Sequence, residues 1–550
     1  MRPELGQVDF PTSGAADAQG DFLTGVLLLH SFEYDDAAAA FRAAEKRDPG
    51  FAMAYWGEAM SSNHPIWHEL DADSARAALG RLAPTPEARL ARAPSEREKG
   101  YLRAVEALFG SGKGGDKASR DRDYAAAMRR LHEAFPDDLE AASFYALALL
   151  GSCENGRDIP TYMQAAAVVE EVFARNPRHP GAAHYLIHAY DDPVHAPLGL
   201  RAARAYAQIA PAAAHALHMP SHIFLALGMW DETAAANEAS WAASDERRNR
   251  LHLALEERGY HALQWLAYAY LQQGRFRQAQ ELLATMERDT AQTGSRRTRS
   301  HLALMSATHL VETRPWLAVS GPPKIDLSRS DLAVEVAAGA YFTRGLAALG
   351  FGGPDGEAAA RLQLQSLTAL LAPGAAAGIR PAGPAGHSAH ASPASLGGSS
   401  QSAGPNGLDQ GVEAARIMRD QLDALLQLAA GQHAAAVNLL DSAARAEDAM
   451  RLDFGPPVVV KPSHELAGEV LLGLGRAADA RRHFEQALAR APRRSLSLLG
   501  LARAAARSGD GAAARQAYAE LRRNWRRADP DLAEQNEVAA GAGAPVAVER

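Results

Sequence analysis

Cysteine is almost missing. Cys153 is the only one in 550 residues, so the chain cannot make an internal disulfide, a CxxC metal knuckle or a CxxCH haem attachment. Long apolar runs are missing too: every Ala/Leu-rich stretch is broken by Arg, Glu, His or Gly before it reaches the ~20 residues that cross a bilayer, which predicts a soluble protein. Met1 to Phe10 carries Arg2, Glu4 and Asp9 without an apolar segment. The expectation is therefore a cytoplasmic location, or a periplasmic one if the true start lies upstream. Nor does one sign of charge dominate. Lys+Arg 57 against Asp+Glu 65 leaves a net charge of −8, which argues against nucleic-acid binding by the molecule as a whole.

Val/Ile/Thr alternation of the kind that marks strands is absent, and helical periodicity is the one strong pattern. It repeats. Between Pro462 and Pro492, Gly468 stands seven residues before Gly475, and Ala480, Phe484, Ala487 and Pro492 follow at intervals of five, four, three and five. The same phase returns at Gly509, Ala514 and Tyr518, at Ala267, Tyr270, Gly274, Phe276 and Ala279, and at Tyr34, Ala37, Phe41, Ala44 and Pro49. This is tetratricopeptide (TPR) spacing, in which two amphipathic helices pack through small residues. A helix pair cannot bury its apolar face alone, so the pairs must stack, and an all-α, TPR-like α-solenoid with a concave surface lined by first helices is expected.

Composition divides the array. Residues 372–411 are Ala, Gly, Pro or Ser at 30 of 40 positions, too little apolar surface to order a segment. The expected plan is an extended segment over 1–15, a helical array over 16–371, a disordered linker over 372–411, a second array over 412–530 and a disordered tail over 531–550. The loop GSGKGGDKA at 110–118 satisfies GxGxxG, but it follows a helical segment rather than a strand and lacks Ser or Thr after Lys113, so it reads as a plain loop.

Histidine is unevenly placed. Nine of 20 fall within residues 179–261, where even spreading would put about three. The blocks read HPGAAHYLIHAYDDPVHAP and IAPAAAHALHMPSHIFLALGMWDE. His184 and His188 are four apart and share a helix face, as do His215, His218 and His222. Counted in repeat phase, these residues and His261, Gln264 and Tyr268 fall at first-helix positions that line the groove in TPR domains. First helices pack about 8–10 Å apart. Imidazoles from neighbours can then converge on one ion: His184, His188, His218 and His222, with a carboxylate from Asp191 or Asp192, suit Zn, Cu, Fe or Ni.

The bland alternative is packed histidines bonded to neighbouring backbone or carboxylates. HExxH and GxSxG are both absent, so neither a zinc protease nor a serine hydrolase built on Ser221 is read, and no enzyme class is assigned. Pro220, between His218 and His222, should kink their helix. A second group, His30, His64, Trp67 and His68, can reach the first only if the superhelix closes on itself. Between Arg476 and Arg527 thirteen Arg face four acidic residues, a basic face that reads first as solvated and second as a dock for an acidic partner or RNA.

Together, FLTGVLLLHSFEYDDAAAAF, HPGAAHYLIHAYDDP, APAAAHALHMPSHIFLALGMWDE and FGPPVVVKPSHELAGEVLL resemble a family of bacterial TPR proteins over nearly the whole chain. The resemblance implies a helical-repeat fold and carries no catalytic residue across. Relatives of this kind often begin with an export signal and carry Cys where this chain has Gly14. The leading expectation is a scaffold that takes a protein or peptide in its groove. A metal-binding protein or metal-dependent enzyme comes second.

Overall fold

The computed structural model describes residues 4–110, 116–153, 156–314, 331–372, 410–452 and 454–543. Helix follows helix from Gln19 to Ala542, and the only strands among the described residues are the short antiparallel pair Asn63–His64 and Glu69–Leu70. Consecutive helices pair as antiparallel hairpins, and each hairpin packs on the next. The fold is all-α and TPR-like.

The two helices of a hairpin differ in burial, and the difference is in their sequences. Tyr34–Arg47 buries one stripe, Tyr34, Ala37, Phe41 and Ala44, and carries Asp35 and Asp36 in its first turn and Lys46 and Arg47 in its last, where the helix dipole favours them. Pro180–Ala189 buries all ten of its residues. Helices that are apolar all round must lie inside. The turn between hairpin helices is shared by several repeats: at Gly274 (φ +69°) the N–H of Arg275 returns to the carbonyl of Tyr270 at 2.9 Å, and at Gly475 (φ +78°) Arg476 returns to Leu471 at 2.9 Å. A left-handed residue followed by a bond back over six positions is the Schellman stop, and glycine takes that φ without a Cβ penalty.

The N-terminal hairpins close on themselves. One apolar core runs without interruption from Leu5 to Ala226, whereas later repeats have separate, smaller cores. The closing contact joins Gln19–His30 to Pro180–Ala189. His184 Nδ1 donates to the carbonyl of His30 at 2.7 Å, and His30 Nδ1 meets the Tyr185 hydroxyl at 2.8 Å. Gly181 makes this possible, since a Cβ there would lie 2.3 Å from the His30 ring. Gly181→Ala is expected to cost about 1–3 kcal/mol, the usual penalty for overpacking a filled core. A urea midpoint shift at constant slope would measure it.

The C-terminal repeats dock back on the middle of the chain. Arg494, fully buried, pairs with Glu465 at 2.8 and 2.9 Å, with Glu312 at 2.6 Å and with the Tyr268 hydroxyl at 2.9 Å. Trp230 Nε1 donates to the carbonyl of Arg493, and Ser495 bonds Gln272 through backbone and side chain. The tail departs from the composition-based expectation of disorder. Gln535–Ala542 is a helix because Val538 has an apolar seat beside Leu498, Tyr518 and Leu521, and Glu537 binds Arg503 and Tyr518. Residues 373–409 of the expected linker, 544–550 of the tail and 111–115 of the glycine loop lie outside the described residues.

Candidate metal centre

The histidine blocks form where two first helices meet. His179 caps Pro180–Ala189, its Nδ1 accepting from the N–H of Ala182 at 3.1 Å with Pro180 in the first turn, and this start sets His184 and His188 on one inner face. The next first helix is divided into Ala214–His218 and Pro220–Ala226. Met219 between them keeps helical angles (φ −53°, ψ −37°), so Pro220 interrupts the hydrogen-bond ladder and leaves the helical path intact. His215, His218 and His222 therefore remain on the face that meets His184 and His188, and His261 comes from Tyr260–Gln272.

Two histidine triads result. In each of the sets His184, His188, His215 and His218, His222, His261, one ring nitrogen per residue lies within 4.8 Å of the others. All six side chains are buried. The triads adjoin, with ring centroids 5.8 Å apart for His188 and His222 and 6.2 Å for His215 and His218. Trp265 lies against His218, His222 and His261, and Phe32 against His184, His188 and His215, so apolar rings wall both sets.

Proton placement separates these triads from ordinary buried histidines. His218 Nδ1 faces Asn237 Oδ1 at 2.7 Å, and that atom is the oxygen because Asn237 Nδ2 donates to the carbonyl of Thr233 at 2.8 Å. His222 Nδ1 faces the carboxylate of Asp191 at 2.5 Å. Both partners accept, so each Nδ1 carries its ring's proton. The remaining nitrogens, His218 Nε2 and His222 Nε2, stand 3.1 Å apart. His184 is held alike: its Nδ1 donates to a carbonyl, and its Nε2 lies 3.2 Å from His215 Nε2. The Nε2 of His188 is buried without a hydrogen-bond partner among the described residues. Burial, followed by the neighbouring imidazoles, holds His184, His188 and His218 well below the ordinary histidine range, so these three rings are kept neutral.

A third grouping, His30, Glu140 and His179, behaves differently. Since His179 Nδ1 accepts from Ala182, its Nε2 carries the proton and donates to Glu140 Oε1 at 3.1 Å. His30 Nε2 reaches Glu140 Oε2 at 2.6 Å, and His30 Nδ1 takes the Tyr185 hydroxyl. Every proton has an acceptor. Burial pushes the Glu140 carboxyl up, but His179 and His30 outweigh it and bring it down to about 2. This is a closed hydrogen-bond network that braces the closing contact, and it leaves no lone pairs converging.

Other expected site residues lie elsewhere. Asp191 orients His222 from behind. Asp192 turns away from the triads to Arg157 at 3.0 Å and His195 at 2.8 Å, because its side chain also caps the turn through the N–H groups of Val194 and His195. His30, His64 and His68 do not assemble: His30 joins Glu140, His64 stacks on Tyr34 at 4.0 Å, and His68, its pKa lowered by burial to about 4, sits in the turn after Trp67. Trp67 approaches the triads with its ring, 6.3 Å from His215, and His30 with its carbonyl, which takes His184 Nδ1. Gln264 bonds His301, and Tyr268 lies under Arg494, so these first-helix positions face a filled interior instead of an open groove. Among the basic C-terminal residues, Arg476, Arg481, Arg482, Arg494, Arg503 and Arg526 are paired with carboxylates, which removes much of the face's free charge.

The fold and the site together define a TPR-like helical-repeat protein with a buried histidine centre. No family model matches the chain, and no curated protein matches it. Among solved structures it is similar to a human IFIT1 dimer with PPP-AAAA, at 12% identity over 93% of this chain and 91% of that one, with a TM-score of 0.34. Yeast Tom70 is similar at 11% identity over 95% and 94%, with a TM-score of 0.31. A Rap protein complexed with competence and sporulation factor is similar at 15% identity over 64% and 97%, with a TM-score of 0.30.

Proposed function

We propose that this chain is a metal-binding protein in which helical repeats, of the bacterial TPR kind its motifs resemble, enclose transition-metal ions between first helices. The observation that carries the reading is the facing pair His218 Nε2 and His222 Nε2, 3.1 Å apart, whose protons are committed on the far side of each ring to Asn237 and Asp191. A cation can take both nitrogens at once. On a tetrahedral ion with bonds of about 2.0–2.1 Å, two nitrogens stand about 3.3–3.4 Å apart, within a few tenths of an ångström of one pair in each triad, His218 with His222 at 3.1 Å and His184 with His215 at 3.2 Å. An imidazole that donates Nδ1–H to a carbonyl, amide oxygen or carboxylate while Nε2 faces the ion is the usual outer support of metal-bound histidine. Neutral nitrogen donors suit Zn, Cu, Fe or Ni. Three protein ligands per ion would leave a position for water, which is the arrangement of catalytic sites.

The test is metal content. The chain, purified without a polyhistidine tag, should carry stoichiometric metal by plasma mass spectrometry, and His188→Ala and His218→Ala should each lose the ion of their own triad. His179→Gln, in the proton-satisfied network, should keep it. Sub-stoichiometric metal in the parent, or content unchanged in the two alanine variants, would sink the proposal.

A scaffold for a protein partner is the second reading, and one observation favours it at another place. Val194, in the turn before Ala196–Ile209, and Leu198, within that helix, are 74% and 59% exposed, unusual for large apolar side chains outside an interface. A photocrosslinker at position 198 should give one discrete adduct, abolished by Val194→Asp. A smear of adducts, or none, would remove this reading.

A further inference from the structure

A second pair of histidines meets in the C-terminal repeats, far in sequence from the triads. His464 lies in the first turn of Ser463–Gly473, set by Pro462, and His483 lies midway along Ala477–Arg490. Their Nδ1 atoms are 2.9 Å apart. The outer nitrogens face carboxylates, His464 Nε2 on Asp448 at 3.0 Å and His483 Nε2 on Asp441 at 3.3 Å. A carboxylate accepts, so each Nε2 holds the proton and two Nδ1 lone pairs point at one another. Unlike the triads, this pair meets water, with side chains 13% and 18% exposed.

The pair can be relieved in two ways. A shared proton would make one imidazolium, favoured by Asp441 and Asp448 and opposed by Arg482 and Arg490 nearby. A metal ion would take both lone pairs and gain from the same two aspartates. The spacing also selects the ion: with bonds of about 2.05 Å, nitrogens 2.9 Å apart subtend about 90°, the angle between adjacent ligands of a square or octahedral ion. We infer that His464 and His483 form a surface metal clip, braced by Asp448 and Asp441, for one tetragonal divalent cation, Cu(II) or Ni(II), whose other positions are open to water.

The test is titration of the full chain with copper sulfate, followed by calorimetry and electron paramagnetic resonance, on the parent and on the double variant His188→Ala with His218→Ala, which removes one ligand from each buried triad so that those sites are counted apart. A tetragonal signal with nitrogen hyperfine coupling should appear in both. It should weaken at least about tenfold in Asp448→Asn and in Asp441→Asn, as loss of an outer-shell partner does. His464→Ala and His483→Ala, with unchanged circular dichroism, should abolish it. An unchanged isotherm in His483→Ala overturns the proposal, and so does a parent that takes no copper while NMR shows the pair sharing a proton.

Discussion

Raising free Zn²⁺ to about a thousand times its dissociation constant is expected to stabilise the parent chain by about 4 kcal/mol for each ion bound. The double variant His188→Ala with His218→Ala is expected to gain almost nothing, since one ligand is gone from each triad. The reference is the same protein in chelator, and the reading is the shift in urea midpoint at constant slope. The design separates two roles that ordinary mutagenesis confuses. A histidine that only fills space costs the same with or without zinc, because its loss leaves a cavity either way. A ligand costs more when zinc is present. In chelator the removal of one ring should cost only what the loss of its packing and hydrogen bonds costs. In zinc the same change should forfeit most of the added stability. Equal losses in the two conditions would identify the triads as core.

The helical repeats were legible because their signals are local. Gly274, Gly475 and Gly509 mark turns of one geometry, and the apolar stripes of second helices follow 3.6-residue spacing. The inward direction of His184, His188, His215, His218 and His222 followed from repeat phase. What could not be read was closure. His30 meets Tyr185 across 155 positions through a gap that Gly181 leaves, and a small residue in a helix has many other uses. Without closure, Phe32 could not be placed on the first triad, nor Glu140 between His30 and His179. Asn237 also escaped notice, since one amide in a long polar helix carries no mark; only its distance from His218 shows what it does. Asp192 was misjudged for a related reason. Adjacent carboxylates at a helix end have similar sequence contexts, and the choice between binding Arg157 and supporting His222 is made in tertiary structure.

Metal-free protein is expected to lose stability steeply as the pH falls from about 6.5 toward 4. Burial lowers His301 to about 3 and His68 and His309 to about 4, and it lowers His30, His184, His188, His218 and His483 as well. In this window the unfolded chain takes up protons that the folded chain refuses. A depressed histidine therefore favours the fold above its unfolded pKa and loses that contribution as the pH drops. Carboxyls raised by burial work the other way: Glu45, pushed up to about 8, and Glu312, Glu447 and Asp121, pushed upward, become easier to keep folded as acid is added. Eight histidines against four carboxyls fixes the sign. Even two net groups amount to about 3 kcal/mol per pH unit, so two units would consume much of the ~5–15 kcal/mol that holds a domain together. Zinc should delay the transition, because protons and metal compete for the same imidazoles. Urea midpoints between pH 7.5 and 4.5, with zinc and with chelator, would measure both effects; a flat profile in chelator would mean that the buried imidazoles are already protonated in the fold, and the lone-pair argument for a metal would fall with it.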